Sequence, residues 1–202
     1  MTRTLDQPLE ANAAFLAQPP AALYRGGTTP KRPIVIVSCI DTRLVGLLEP
    51  ALGIERGDAK IAGAQVRHPF GSAMHSILIA IHFLDAAEVV VIARHDCGRQ
   101  RVGRAGLLPQ MRRRGIAAET IRVVERSGID LERFMQPFDS VYDSVRASVS
   151  LVAEHPFVAG ARIPVHGLVI DPGTGRLERV VDGYAAPESG EDPAATPPPG
   201  PP

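Results

Sequence analysis

Two uninterrupted apolar runs place the strongest constraint on the fold of this 202-residue chain. They are PIVIVS at 33–38 and EVVVIA at 88–93. Both are rich in β-branched residues, which favour strands, and neither alternates apolar with polar side chains. Strands without such alternation are buried on both faces, as in parallel sheets that are covered by helices. The sequence therefore predicts that both runs are interior strands of a parallel sheet.

The segments around these runs complete an alternating pattern of strands and helices. The spacing of apolar residues predicts helices at 44–52, 71–85 and 139–154, a short strand at 59–62, and two strands within 163–181 that are joined by the turn sequence DPGTG. Strands that alternate with helices form parallel sheets through right-handed crossovers. We therefore expect an α/β fold with a parallel-centred β-sheet flanked by helices.

The same patterns predict one folded domain at 33–183. Residues 1–32 are predicted to form an N-terminal arm that contains a helix. Residues 186–202 are rich in proline, polar and without apolar periodicity, which predicts a disordered tail.

The charge composition argues against two classes of partner. The chain has 22 Lys plus Arg and 22 Asp plus Glu, so it lacks the excess positive charge that binds nucleic acids and anionic membranes. The N-terminus lacks the apolar core of a signal peptide, and no run approaches the roughly 20 apolar residues that span a bilayer. We expect a cytoplasmic protein without nucleic-acid or membrane partners. The arginine-rich segment 98–118 is either a solvated helix face or a surface that attracts anions.

Both cysteines directly follow a predicted interior strand. Cys39 comes after the first run and is followed by Asp41 and Arg43, and Cys97 ends the sequence RHDC after the second run. The carboxyl ends of parallel strands meet at one edge of a sheet, where α/β proteins bind ligands. The alternative is a pair of small buried side chains without chemistry, but the polar neighbours favour a functional site.

These segments resemble the signature of the β-class carbonic anhydrases, which is Cys-x-Asp-x-Arg followed by His-x-x-Cys-Gly. The sequence VSCIDTR at 37–43 is similar to the first motif, DCG at 96–98 to the second, and IPVHGLVIDPGTGRL at 163–177 to the closing hairpin of the family. The resemblance extends over about 34–181. It implies a homodimer or a larger oligomer that acts on a small molecule, CO₂ or bicarbonate.

The resemblance also implies a Zn²⁺ cofactor held by Cys39, Cys97 and a third protein ligand, with water in the fourth position. Zinc lowers the pKa of such a water to about 7, and the resulting hydroxide attacks CO₂. Asp41 would accept a hydrogen bond from the hydroxide, and Arg43 would hold Asp41 through its planar guanidinium. Asp41 and Arg43 are therefore the candidate catalytic residues.

One position departs from the family pattern. Arg94 aligns with the zinc-binding histidine, and a guanidinium stays protonated and has no lone pair for a metal. His95 is adjacent, but neighbouring side chains in a strand point to opposite faces, so a metal role for His95 requires a bulge or a one-residue shift. Asp41 and His95 are the candidate third ligands. Arg94 and Arg67 are candidates to bind an anionic substrate.

Three functions are compatible with this sequence. The first is a zinc enzyme, a carbonate dehydratase-like lyase that reversibly hydrates CO₂ to bicarbonate. The second is a metal-free enzyme in which an arginine-flanked cysteine thiolate attacks a small anionic substrate. The third is a non-catalytic relative with the same fold that binds an anion or a protein partner.

Overall fold

The computed structural model describes residues 4–18, 27–63, 66, 69, 71–100, 102–134 and 137–185. The candidate anion ligand Arg67 and the predicted tail at 186–202 lie outside these residues, as do parts of the predicted N-terminal arm, at 1–3 and 19–26.

A five-stranded sheet forms the centre of the molecule, in the order β2-β1-β3-β4-β5. The strands are β1 (Ile34–Ser38), β2 (Lys60–Gly63), β3 (Glu88–Arg94), β4 (Val165–Ile170) and β5 (Leu177–Val181). Strands β1, β2, β3 and β4 all run in the same direction, and β5 pairs with β4 in the antiparallel direction. The predicted α/β class with a parallel-centred sheet is confirmed, and the two apolar runs are the adjacent interior strands β1 and β3.

Helices lie between and around the strands. They are α1 (Asp6–Ala17), α2 (Leu48–Leu52), α3 (Ser72–Phe83), α4 (Arg104–Arg113), α5 (Ala118–Arg126), α6 (Leu131–Phe134), α7 (Val141–Ala153) and α8 (Pro156–Ala159). Two 3₁₀ turns cover Thr42–Leu44 and Gly98–Gln100. Within the described ranges, no helix has the length and apolar character that crossing a membrane requires.

The prediction of one helix at 44–52 is wrong in its first half. A 3₁₀ turn ends at Leu44, Val45 is extended, and α2 begins only at Leu48. Gly46 lies between the two elements with a φ of 72°, a left-handed conformation that a continuous right-handed helix does not contain. Helix α7 (Val141–Ala153) lies within the predicted range 139–154, and the Ser140 side chain caps its start by accepting a hydrogen bond from the backbone N–H of Asp143.

Successive residues of β1 and β3 enter two different hydrophobic clusters. Val35, Val37, Val89 and Val91 pack in one cluster with residues of α3, α7 and α8. Ile36, Val90 and Ile92 pack on the opposite face, with residues near α2 and with Cys39. This two-sided burial explains why neither strand alternates in sequence. The same alternation determines on which face of the sheet the side chain of each residue at the strand ends lies.

Helix α7 packs closely on β4 because residue 167 is glycine. A Cβ atom at Gly167 would lie 2.5 Å from Cγ1 of Val145 and 3.0 Å from Cγ2 of Val149. Both valines are buried core residues of α7. Any larger side chain at this position must therefore push the helix away from the sheet.

We expect Gly167→Ala to lower the free energy of unfolding by roughly 1–3 kcal/mol, the usual cost of overpacking a core. Urea denaturation measures the change. Gly27→Ala is the matched control, because a Cβ atom there meets nothing within 4 Å, and its effect should stay within about 0.5 kcal/mol. Equal effects of the two substitutions would contradict this account of the α7 packing.

Candidate functional site

Two loops at the carboxyl edge of the sheet bring most of the predicted site residues together. The first follows β1 and carries Cys39, Asp41 and Arg43, and the second follows β3 and carries Cys97. Ser38 of β1 is in register with Ile92 of β3, so the two strands end side by side. The juxtaposition of the two cysteine segments therefore results from the parallel pairing of β1 and β3.

Asp41 and Arg43 form a two-pronged ion pair within the first loop. Nε of Arg43 donates to Oδ1 of Asp41 at 3.1 Å, and Nη2 donates to Oδ2 at 3.1 Å. The backbone N–H of Arg43 also donates to Oδ1, at 2.8 Å. The Arg43 side chain, its backbone N–H and the charge of Arg94 together lower the pKa of Asp41 to about 2. Asp41 is therefore a carboxylate at neutral pH.

The same arginine connects the two loops. Nη1 of Arg43 donates to the Asp96 carboxylate at 3.1 Å, and Nη2 donates to the Asp96 carbonyl at 3.2 Å. Asp96 has a φ of 51°, a left-handed conformation that is uncommon for residues other than glycine. Asp96 was not among the predicted site residues, although it directly precedes Cys97 within the second motif.

Arg94 is the last residue of β3, and its side chain is directed into the site. The residue is 6% exposed, and its Nη2 atom pairs with Oδ2 of Asp41. Its Nη1 atom donates to the backbone carbonyls of His95 and Asp96. Its Nε atom is buried and has no hydrogen-bond partner among the described residues. A buried guanidinium that pairs with Asp41 therefore occupies the position where the motif has a metal ligand.

A second buried group lacks a partner on the same face of the sheet. The hydroxyl of Ser38, a residue that is buried at the end of β1, contacts no hydrogen-bonding atom within the described structure. Ser38 is paired with Ile92, two residues before Arg94, so its side chain and that of Arg94 lie on one face. The signal in the sequence was a single polar residue that ends an otherwise apolar strand.

The two cysteine thiols interact with each other. Cys97 is buried, Cys39 is partly exposed, and both are free thiols. Burial raises the pKa of Cys97, and a hydrogen bond with Cys39 raises it further, whereas the backbone N–H of Arg99 and the charge of Arg94 act in the opposite direction. At neutral pH the Cys97 thiol is therefore mainly protonated.

His95 faces the other side of the sheet, as the alternation of a strand requires. Its ring packs edge-on against Tyr142 of α7, with 5.9 Å between the ring centroids. It also interacts electrostatically with the Asp171 carboxylate, which follows β4. The structure thus separates His95 from the face that carries Arg94.

The side chains at this edge do not fit a zinc site with three protein ligands. Cys39 and Cys97 offer two sulfur atoms, but both oxygens of Asp41 are already held by arginines. Over the whole described part of the chain, no group of three or more His, Cys, Asp or Glu side chains could hold a metal ion. The missing third ligand corresponds to the position of Arg94.

Comparison with known proteins places this chain within a family. The family model described as carbonic anhydrase matches residues 34–177. YtiB of Bacillus subtilis, a provisionally assigned carbonic anhydrase, is 44% identical over 183 residues, which are 89% of this chain and 97% of YtiB. YvdA of the same organism, also provisionally assigned, is 41% identical over 87% of this chain and 90% of its own length.

Solved structures agree with this placement. The β-carbonic anhydrase isoform I of Trichomonas vaginalis is 32% identical, with a TM-score of 0.83 over 91% of this chain and 100% of that chain. The carbonic anhydrase of Streptococcus mutans is 29% identical, with a TM-score of 0.70 over 90% of this chain and 99% of that chain.

We expect the two cysteines to differ in reactivity towards iodoacetamide. At pH 7.5 Cys39 should be alkylated at least about tenfold faster than Cys97, because Cys97 is buried and its raised pKa keeps the thiolate scarce. Mass spectrometry of the intact chain and of its peptides measures both rates, with Cys39→Ser and Cys97→Ser confirming the assignment. Equal rates in the folded protein would be inconsistent with the described environments.

Proposed function

Because this chain belongs to the β-carbonic anhydrase family, we propose that it is a member that does not hydrate CO₂ and that binds a small anion of the bicarbonate class. The observation that carries this proposal is the buried side chain of Arg94, which pairs with Asp41 and leaves Nε without a partner. An arginine at this position offers no ligand to a metal and adds a positive charge to the site. A single replacement thus accounts for both parts of the proposal.

The first part follows from the chemistry that the family's reaction requires. A zinc-bound hydroxide needs a metal held by three protein ligands, with the fourth position open to water. Arg94 has no lone pair to offer a metal, and its Nη2 atom pairs with Oδ2 of Asp41, the carboxylate that the resemblance assigns to the hydroxide. Position 94 therefore supplies no metal ligand, and its guanidinium competes with the hydroxide for the Asp41 carboxylate.

The second part follows from the buried donors. Nε of Arg94 and the hydroxyl of Ser38 are buried on one face of the sheet without acceptors in the described structure. Leaving such a donor unsatisfied costs about 1–3 kcal/mol. Bicarbonate and similar oxyanions accept hydrogen bonds from guanidinium and hydroxyl groups, and charge-assisted bonds of this kind are the stronger ones. An anion at this position would satisfy donors that the protein does not.

The metal-free thiolate enzyme receives less support. A cysteine nucleophile needs a lowered pKa, and burial raises that of Cys97. The free thiols do agree with the predicted cytoplasmic location, because the cytosol keeps cysteines reduced. We therefore propose a cytoplasmic location, but we do not propose the thiolate reaction.

We expect the purified protein, supplied with zinc, to hydrate CO₂ at the uncatalysed rate in a stopped-flow assay. Arg94→His should bind zinc at least about tenfold more tightly than the unchanged chain, because it adds an imidazole ligand; tenfold corresponds to about 1.4 kcal/mol. Arg94→Gln is the matched control, since it removes the charge without adding a comparable ligand. Catalysis by the unchanged chain with one zinc ion per chain would refute the proposal.

The anion is tested separately, by titration calorimetry with bicarbonate. We expect the unchanged chain to bind bicarbonate and Arg94→Gln to bind it at least about tenfold more weakly, because the buried donor is lost. Circular dichroism and thermal melting confirm that the variant is folded. Equal affinities, or no binding by the unchanged chain, would count against an anion site at Arg94.

We further propose that the protein is a homodimer whose interface lies beside this site. Ile40 and Val45 flank the loop that carries Asp41, and each is 82% exposed. The neighbouring edge strand β2 carries Ile61, which is 45% exposed. Apolar side chains concentrated at one edge are typical of an interface between subunits.

We expect Ile40→Glu combined with Val45→Glu to convert the dimer to a monomer, because charges at the centre of an apolar interface lose their hydration. Sedimentation analysis measures the mass of the particle. Val123→Glu on α5 is the control, because Val123 is an exposed apolar residue of a different element, 55% exposed. An unchanged dimer in the double variant would place the interface elsewhere.

A further inference from the structure

We infer that His166 is a pH-sensitive switch, which holds residues 182–185 against β4 while its imidazole is neutral and releases them when the imidazole is protonated. His166 is the second residue of β4, near the amino end of that strand. The site around Arg94 lies at the carboxyl edge of the sheet, where Arg94 is in register with Ile170. The inference therefore concerns a different part of the molecule and does not rest on the proposed function.

The first step is a hydrogen bond that only a neutral imidazole can make. The backbone N–H of Gly183 donates to Nδ1 of His166 at 3.0 Å. A ring nitrogen that accepts a hydrogen bond carries no proton, so the proton of the neutral ring lies on Nε2. A protonated imidazole has a hydrogen on both nitrogens and accepts none. Protonation of His166 therefore breaks the bond with Gly183.

The second step is the close packing of the segment that this bond holds. A Cβ atom at Gly183 would lie 2.5 Å from the backbone N of Val165 and 2.7 Å from its carbonyl oxygen. The segment forms a compact turn, in which the backbone N–H of Ala185 donates to the carbonyl of Asp182 at 3.1 Å. Only a residue without a side chain can approach the β4 backbone so closely. The bond to Nδ1 is thus the polar contact that holds this turn on the strand.

The third step is the set of charged groups around the ring. Nε2 is buried and has no hydrogen-bond partner among the described residues, although Oε2 of Glu88 on β3 lies 3.5 Å away. Oδ1 of Asp182 lies 3.7 Å from Nδ1, and the other oxygen of Asp182 pairs with Arg179 of β5 at 2.8 Å. Tyr184, another titratable group, packs edge-on against the imidazole with 4.7 Å between the ring centroids.

The two protonation states of His166 therefore favour different partners. The neutral ring accepts from Gly183, whereas the charged ring has two hydrogens to donate and two carboxylates beside it, those of Glu88 and Asp182. Charge-assisted bonds of that kind are the stronger ones. Gly183 and Asp182 are adjacent in the chain, so the exchange of one for the other at Nδ1 must move the turn. The turn is held at high pH and released as the pH falls through the titration of His166.

The test measures hydrogen exchange of the Gly183 amide by NMR in the full-length chain, corrected for the intrinsic effect of pH on exchange. Histidines ordinarily titrate between about pH 5 and 8, so the two conditions are about pH 8 and about pH 5.5. We expect the protection of this amide to fall at least about tenfold at the lower pH. The fall should follow the change in the ring chemical shifts of His166.

His166→Asn separates the imidazole from the carboxylates around it. The Asn side chain keeps an oxygen acceptor near the position of Nδ1 but does not titrate, so the protection of Gly183 should change by less than about threefold over the same range. His75→Asn is the matched control, because His75 is exposed on α3, and this variant should behave like the unchanged chain. A fall caused by Glu88 or Asp182 would persist in His166→Asn and would overturn the inference.

A second measurement on the unchanged chain does not depend on the folding of a variant. A nitrogen–nitrogen coupling across the hydrogen bond should be detectable between the Gly183 amide and Nδ1 of His166 at about pH 8, and it should disappear at about pH 5.5. A coupling that persists after the ring is protonated would contradict the switch. An imidazole that stays neutral over the whole range, or constant protection of Gly183 while it titrates, would do so as well.

Discussion

The ion pair between Arg94 and Asp41 joins the two segments of the chain on which this site is built. Both side chains are largely buried, and the pair connects the end of β3 to the loop after β1. Removing one partner of a buried pair typically costs about 3–5 kcal/mol, because the other charge remains without compensation. Arg43 strengthens the connection, since it binds Asp41 and Asp96 at once. The charged groups of the site, Arg43, Arg94 and Asp96, are therefore joined in one network of ion pairs with Asp41.

The fold of this chain does not depend on the polar groups of the site. The sheet depends on the two-sided burial of β1 and β3, and none of those contacts involves the polar groups at the strand ends. A replacement at position 94 therefore leaves the hydrophobic core intact. It alters only the carboxyl edge of the sheet, which is where folds of this kind carry their functional side chains.

Two residues that are adjacent in the sequence lie on opposite faces of the sheet at this edge. Arg94 points into the site and His95 packs against Tyr142 on the opposite face. The alternation of a strand enforces this separation, and no bulge in β3 brings the histidine back. The side chain at position 94 therefore faces the site, whereas that of the histidine beside it does not.

Much of this could be predicted from the sequence alone, because the relevant forces are local or periodic. The apolar runs of β1 and β3 indicated interior parallel strands, and the motifs after them indicated one edge of the sheet for Cys39, Asp41 and Cys97. The break between Leu44 and Leu48 was missed, because the helical pattern of the sequence continues through this segment, whereas the extended Val45 and the positive φ of Gly46 interrupt the helix.

Only the tertiary structure decided how the charges are arranged. The pairing of Arg94 with Asp41, the bridge from Arg43 to Asp96 and the unpartnered atoms of Arg94 and Ser38 depend on distances between two loops that lie more than fifty residues apart in the chain. Sequence periodicity records which face a residue occupies, but it carries no information about which polar atoms meet across neighbouring strands. For this protein, the residue types were set by the sequence, and their partners were set by the packing of β1 against β3.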